Sequence, residues 1–334
     1  MASSTSVTNL YEDIVADLVP YYDNFVLLPN QQLIAHAYNI TGGTGNTMNI
    51  PVTNAWTTGA TINPGDPIVA LTTGGGDTAG QATPVNDFAP SSVSLSVNKR
   101  GTGTYVTTED LEDGGQSTVR NAIVTRLSRA IAQSTDKAGF QVMGHNSETA
   151  MTDLADVDTV GMDGLVSGAN LGSCELSYVF SDEAMGYAVK REPTVQMFDN
   201  INHDRIEFTG TLRNGFAQVQ PTYIRAIASV AGIGTAGNVA TGAATLSYFA
   251  KSVANLKDAN APMDFTGFYA GVISPAVEFA LSKELNGVGG TATGSIGSVA
   301  QNLANDALLQ GMITQALGIS FIRSNNLPSG LASA

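Results

Sequence analysis

Between Met1 and Asn98 the chain has no lysine and no arginine; its first basic residues are Lys99 and Arg100. The same stretch carries seven acids, Glu12, Asp13, Asp17, Asp23, Asp66, Asp77 and Asp87. It is poor in large apolar residues and rich in Gly, Thr, Asn and Pro, so it does not fill a core of its own. It reads as an arm and a long hairpin whose partners lie on neighbouring subunits. Charge is scarce throughout, at 13% of residues against roughly 25% in ordinary soluble domains. Beside 43% hydrophobic content, that scarcity points to surface covered by other subunits or to a Ser/Thr-rich exterior. A net charge of −14 argues against tight nucleic-acid binding, which needs clustered Lys and Arg. Cysteine occurs once, as Cys174, which excludes an intrachain disulfide and reads as a buried thiol. The amino terminus lacks the basic and apolar regions of a signal peptide. The uncharged stretch Ala226 to Ala250 is too broken by Gly and Thr for a membrane span. These absences together describe a soluble protein made in a cytoplasm.

What is present is patterned. A chain of 334 residues allows about two domains and buries roughly three-quarters of its extended surface. Leu10–Leu18 has the spacing of a short amphipathic helix, after which Pro20 and Pro29 are expected to keep the chain extended. Thr47–Val52 and Pro67–Thr72 read as strands bounded by Gly, Pro and Asn. Ser92–Val97 alternates with the period of a half-buried strand, and Lys99–Gly101 is expected to turn it. Thr107 with Asp110 forms a capping-box pattern before a short helix. Ser117 to about Met143 reads as one long helix, with Val119, Ile123, Leu127, Ile131, Ala138 and Val142 on one face. Ser181 is expected to cap a helix over DEAMGYAVK. Strands follow at Thr194–Phe198, Ile206–Leu212, Tyr223–Ser229, Phe268–Ile273 and Gly318–Arg323. Helices are expected at Thr245–Lys257, from Pro275 to Asn286, and at Ser295–Gln310.

The candidate chemistry is thin. Gly232–Gly237 matches G-x-G-x-x-G after a strand, with Asp258 further on, but no helix opens at the third glycine, and a Gly/Ala/Thr linker over 231–244 is the better reading. His36, His145 and His203 stand apart without metal-ligand spacing. His203 with Asp199 and Asp204 reads as a loop charge cluster. The acids Asp153, Asp156, Asp158 and Asp163 lack the geometry of a calcium loop. Trp56, the single tryptophan, reads either as an interface anchor or as local packing under the hairpin. No catalytic, cofactor or metal site is assigned.

With these residues laid out, the chain resembles a tailed-bacteriophage major capsid protein of the HK97-type fold. GNTMNIP (Gly45–Pro51) and NPGDPI (Asn63–Ile68) look like the base and arm of that family's E-loop. SVSLSVNKRGTGTYVTTEDL (Ser92–Leu111) looks like peripheral-domain strands, and Ser117–Met143 looks like the spine helix. FSDEAMGYAVKREPTVQMF (Phe180–Phe198) and GFAQVQPTYIRAI (Gly215–Ile227) are similar to closing strands of phage coat proteins. GVISPAVEFALSKEL (Gly271–Leu285) and GMITQALGISFIRSNNLP (Gly311–Pro328) look like axial-domain elements. The segments 245–328 follow the closing strands instead of preceding them, the order a circular permutation leaves, and a permuted chain is expected to pack helix 245–257 near the spine.

The resemblance implies an α+β fold. It is divided into an arm (1–40), an E-loop (41–91), a peripheral domain (92–150 and 193–258) and an axial domain (151–192 and 259–334). It implies a non-enzymatic shell subunit that forms hexamers and pentamers of itself and encloses DNA without sequence-specific contact or membrane association. The shell would be assembled in the host cytoplasm as a virion capsid, with a portal, a separate scaffold and a cement protein as partners. The E-loop has no lysine, so the family's Lys–Asn crosslink is not available from it. Inter-subunit contacts are expected from Trp56, Asp66, Asp77 and Asp87 on one side and Lys99, Arg100, Arg120, Arg126 and Arg129 of a neighbour on the other. The alternatives are an encapsulin-type cargo shell, a nucleotide-dependent oxidoreductase using residues 232–237, and a secreted β-rich adhesin.

Overall fold

A computed structural model describes residues 4–29, 33–40, 45–52, 91–113, 116–145, 159–160, 174–230, 245–264, 267–285 and 315–327. Helix α1 spans Ser4–Phe25 and β1 spans His36–Asn39. A two-stranded ribbon pairs β2 (Thr47–Val52) with β3 (Ser91–Ser96). Then follow β4 (Asn98–Thr107), α2 (Thr108–Asp113) and the 30-residue α3 (Gln116–His145), a rod roughly 45 Å long. The two-residue β5 (Thr159–Val160) and β6 (Cys174–Phe180) precede a long hairpin of β7 (Met185–Asn200) and β8 (Arg205–Gln218). The chain continues through β9 (Ile224–Val230), α4 (Leu246–Asp258), β10 (Tyr269–Ile273), α5 (Pro275–Leu285), β11 (Gln315–Ala316) and β12 (Ile319–Arg323).

Two sheets organise these elements. The first has order β1-β7-β8-β4, and α1 and α3 lie side by side, pointing the same way, across one of its faces. Ile14 and Leu18 of α1 meet Ile123, Val124 and Leu127 of α3 over Phe208 and Val195 of the sheet. Tyr22 and Val26 meet Ile131, Ala132 and Leu212 one step further along. The second sheet has order β11-β12-β10-β6-β9-β5. Strand alternation sends Leu176, Tyr178, Phe180, Ala226 and Val272 toward Phe140, Val142 and Met143 at the end of α3. It sends Val179, Ile227, Tyr269 and Ile273 to the opposite face, where α4 and α5 cover them through Phe249, Val253, Leu256, Val277 and Leu281.

Several expectations are corrected by this packing. Pro20 lies inside α1, although an internal proline removes a helical hydrogen bond at a cost of about 3 kcal/mol. The fourfold spacing of Ile14, Leu18, Tyr22 and Val26, all buried, offsets that cost by seating one whole face on α3. Lys99–Gly101 does not turn; it is ladder-paired with Arg213, Leu212 and Thr211 of β8. The change of direction falls at Val97, whose N–H bonds to the Asn46 carbonyl at 2.8 Å. Ser181 does cap, accepting from the Glu183 N–H at 3.4 Å, but only a single 3-10 turn, Asp182–Ala184. Residues 185–190 enter β7 because both faces of that strand are buried: Tyr187 packs on Phe216, and Gly186 sits under Ile50. Helix α4 lies on the far face of the second sheet from α3, the placement that argues against a permuted order. The chain passes from the second sheet to the first between β6 and β7 and returns between β8 and β9. Pro67–Thr72, the 231–244 linker, the acids Asp153, Asp156, Asp158 and Asp163, and Ser295–Gln310 lie outside the described residues.

Candidate inter-subunit surfaces

The expected contact residues divide into three groups. Trp56, Asp66, Asp77 and Asp87 lie outside the described residues, between the two strands of the β2–β3 ribbon in sequence. Arg120 and Arg129 are engaged within their own chain. Arg120 pairs with Asp13 at 3.2 Å and with Asp17, and these bonds raise its pKa further above its ordinary value. The Arg129 guanidinium lies 5.1 Å over the Phe25 ring, a cation–π contact. Arg100 bonds Asn214 through Nε at 2.8 Å. Arg126 and Lys99 are exposed. For Arg120, then, the acids of the opening stretch are supplied by the same copy, because α1 folds back on its own α3.

Further bonds fix that docking. Ser128 donates to the Leu18 carbonyl at 3.3 Å, and the Tyr11 hydroxyl donates to the Val195 carbonyl at 3.1 Å. Asp136, 1% exposed, accepts from the N–H groups of Leu27 and Leu28, both at 3.1 Å, and from the Asn326 side-chain amide at 3.3 Å. Burial pushes its carboxyl up to about 6, against the pull of those three donors. One carboxylate thus ties the exit of α1 and the far carboxyl-terminal segment to the spine. Sequence reading missed it, since an Asp in a helix with spacing 3.6 looks like any solvated position.

Arg120→Ala is expected to loosen α1. Limited proteolysis at low salt should cut within residues 4–25 faster than in the wild type, and the difference should narrow in high salt as the wild-type pair is screened. Equal cleavage at low salt would assign the docking to Ile14 and Leu18 alone.

The outer end of the β7–β8 hairpin carries a second feature. Tyr105, Glu207 and Phe198 stand in one row across β4, β8 and β7. Arg205 stacks 4.7 Å over the Tyr105 ring and bonds Glu207 through Nε at 2.9 Å. Asn200 donates to the same carboxylate at 3.0 Å, and together these donors hold Glu207 below the ordinary carboxylate range. Phe198 and Tyr105 remain 66% and 57% exposed. Exposed aromatics beside an arginine are the composition of interface anchors. The cluster at His203, Asp199 and Asp204 lies at the tip of this hairpin, where Asp204 takes a left-handed backbone, φ 46°. Among the described residues no group of His, Cys, Asp and Glu side chains is placed to hold a metal ion, and no helix is long and apolar enough to cross a membrane. Gly232–Gly237 lies outside the described residues.

No family model and no curated protein matches the chain. Solved structures do. The procapsid protein of bacteriophage JBD30 is similar over 97% of this chain and 98% of its own, at 11% identity and a TM-score of 0.52. The capsid of the same phage is similar over 88% of this chain and 89% of its own, at 12% identity and a TM-score of 0.47. A virus-like particle from Pyrococcus furiosus is similar over 65% of this chain and 98% of its own, at 10% identity and a TM-score of 0.40. The first match runs nearly end to end through both chains and gives the fold: this chain shares the α+β fold of a phage procapsid subunit, as the resemblance implied.

Proposed function

We propose that this chain is a major capsid protein that self-assembles into the icosahedral head shell of a tailed phage around its double-stranded DNA genome. The near end-to-end likeness to the JBD30 procapsid protein carries the reading. The stiff α1–α3 pair and the exposed Tyr105–Phe198 row support it, because a shell subunit needs a rigid body with contacts at its edges. In this reading the subunits form hexamers and pentamers of themselves. A portal, a separate scaffold and a cement or decoration protein complete the head, and assembly takes place in the host cytoplasm. The protein acts through contacts, not catalysis, and binds DNA without sequence preference. Shell strength comes from non-covalent contacts, since the stretch between β2 and β3 offers no lysine.

Electron microscopy of the expressed protein tests this. Closed shells or hexamer sheets are expected; compact monomers at every concentration would overturn it. Shells recovered from infected cells should contain DNA, whereas a protein cargo in their place would favour the encapsulin-type alternative.

A further inference from the structure

Three cations stand in one line on the face of the first sheet opposite α1 and α3. Lys99 of β4 is directly paired with Arg213 of β8, and Arg213 is directly paired with Arg191 of β7. Directly opposed residues project from the same face, with Cβ atoms roughly 5 Å apart, and like charges so placed repel. Lys190 adds a fourth positive charge beside them: both it and Arg213 donate to the Asn46 side-chain oxygen, at 3.1 and 3.0 Å. Arg191 reaches the Thr211 hydroxyl at 2.6 Å. These bonds are to neutral groups. Among the described residues no carboxylate forms an ion pair with Lys99, Arg191 or Arg213. The Nε atoms of Arg191 and Arg213 are buried and have no acceptor. Four of the chain's 15 basic residues are thus gathered against mutual repulsion, with no ion-paired carboxylate among the described residues to offset it.

We infer that the Lys99–Arg213–Arg191 row is a docking surface for carboxylates of a second copy of this chain, an inference that rests on the shell reading above. Charge complementarity identifies the occupant. The first 98 residues hold seven acids and no lysine or arginine, and Arg120 engages Asp13 and Asp17 of them. Asp66, Asp77 and Asp87 are the natural source, and they belong to a stretch with no cation of its own. A nucleic acid is the poorer occupant, because a chain of net charge −14 repels phosphate at long range. The guanidiniums suit carboxylates, which they bind as bidentate, charge-assisted pairs.

Charge reversal tests the row. Lys99→Glu/Arg191→Glu/Arg213→Glu should lower shell yield by roughly tenfold or more, the equivalent of about 1.4 kcal/mol of contact, while circular dichroism and the melting curve stay near wild type. Asp66→Lys/Asp77→Lys/Asp87→Lys should do the same. Mixing the two folded variants should restore shells, since each then meets its complement in the other copy. Rescue only when all six changes are in one chain would place the contact within a copy and overturn the proposal. So would full shell yield from the row-reversed variant, and so would shells that form normally but lose their nucleic acid. A row-reversed chain that does not fold, with no recovery on mixing, also overturns it. A wild-type protein that never assembles defeats the shell reading itself and is distinguished by that control.

Discussion

Gly215→Ala is expected to cost about 3 kcal/mol or more of stability, the upper end of overpacking penalties. Gly215 lies in β8 where the chain turns from the β2–β3 ribbon into the first sheet. A Cβ at that position falls 2.0 Å from the Ser96 carbonyl oxygen and 3.2 Å from the Val97 Cα. The obstacle is backbone, so no side-chain rotation relieves it. Either β8 leaves β7, with which it pairs over thirteen registered positions, or the ribbon lifts off Ala188, Ala217 and Val219. Both lose buried apolar area at about 25 cal/mol per Å². Gly103→Ala is the control: its nearest neighbours are 3.5 and 3.6 Å away, and the change should be near neutral. Thermal unfolding of the two variants reads the difference, and equal midpoints would mean that the ribbon and sheet do not cross as described.

Replacing Asp136 should have the next largest effect, and its sign depends on the replacement. Asp136→Ala leaves the N–H groups of Leu27 and Leu28 buried without an acceptor, at roughly 1–3 kcal/mol each. Asp136→Asn keeps an oxygen for them and removes the charge. The carboxyl is raised from 3.8 to about 6 in the folded protein, so the native state binds the proton more tightly than the unfolded chain. Stability from this group is therefore fully present below about pH 4 and is lost as pH rises through about 6, by about 3 kcal/mol in total. Asp136→Asn should not show that loss. Denaturant titrations at pH 4 and pH 7 should show the asparagine variant gaining on the wild type as pH rises. A constant difference would mean that the Asp136 carboxyl is not perturbed by burial.

The parts of the fold that were legible in the sequence are those set by local pattern. The fourfold spacing from Ile123 to Val142 marked α3, and the alternation of Ser92–Val97 marked β3. Thr107 and Asp110 exchange the capping bonds their spacing promised, with the Asp110 N–H 3.1 Å from the Thr107 hydroxyl. Pro275 does open a helix. What local pattern misjudged was decided at long range. Pro20 is carried inside a helix by the partner that helix packs on, and MGYAVK becomes a strand because Ile50 and Phe216 bury its two faces. The basic row is a product of register: Lys99, Arg191 and Arg213 are far apart in sequence, and only the β4–β8–β7 ladder aligns them. Of the named contact residues, Lys99 falls on that row, while Arg120 and Arg129 turn inward to α1. The absence of basic residues before Lys99 leaves Asp13 and Asp17 to an intrachain clamp on Arg120, and in the proposed shell it leaves Asp66, Asp77 and Asp87 for a neighbour.

In the proposed function this chain works as one of many identical shell subunits. The most direct measurement is the mass of the purified protein in solution, by analytical ultracentrifugation across a range of concentration and salt. Discrete particles many times heavier than the 34.5 kDa chain, in equilibrium with capsomer-sized intermediates, are the predicted result. A single species at 34.5 kDa under every condition would contradict it.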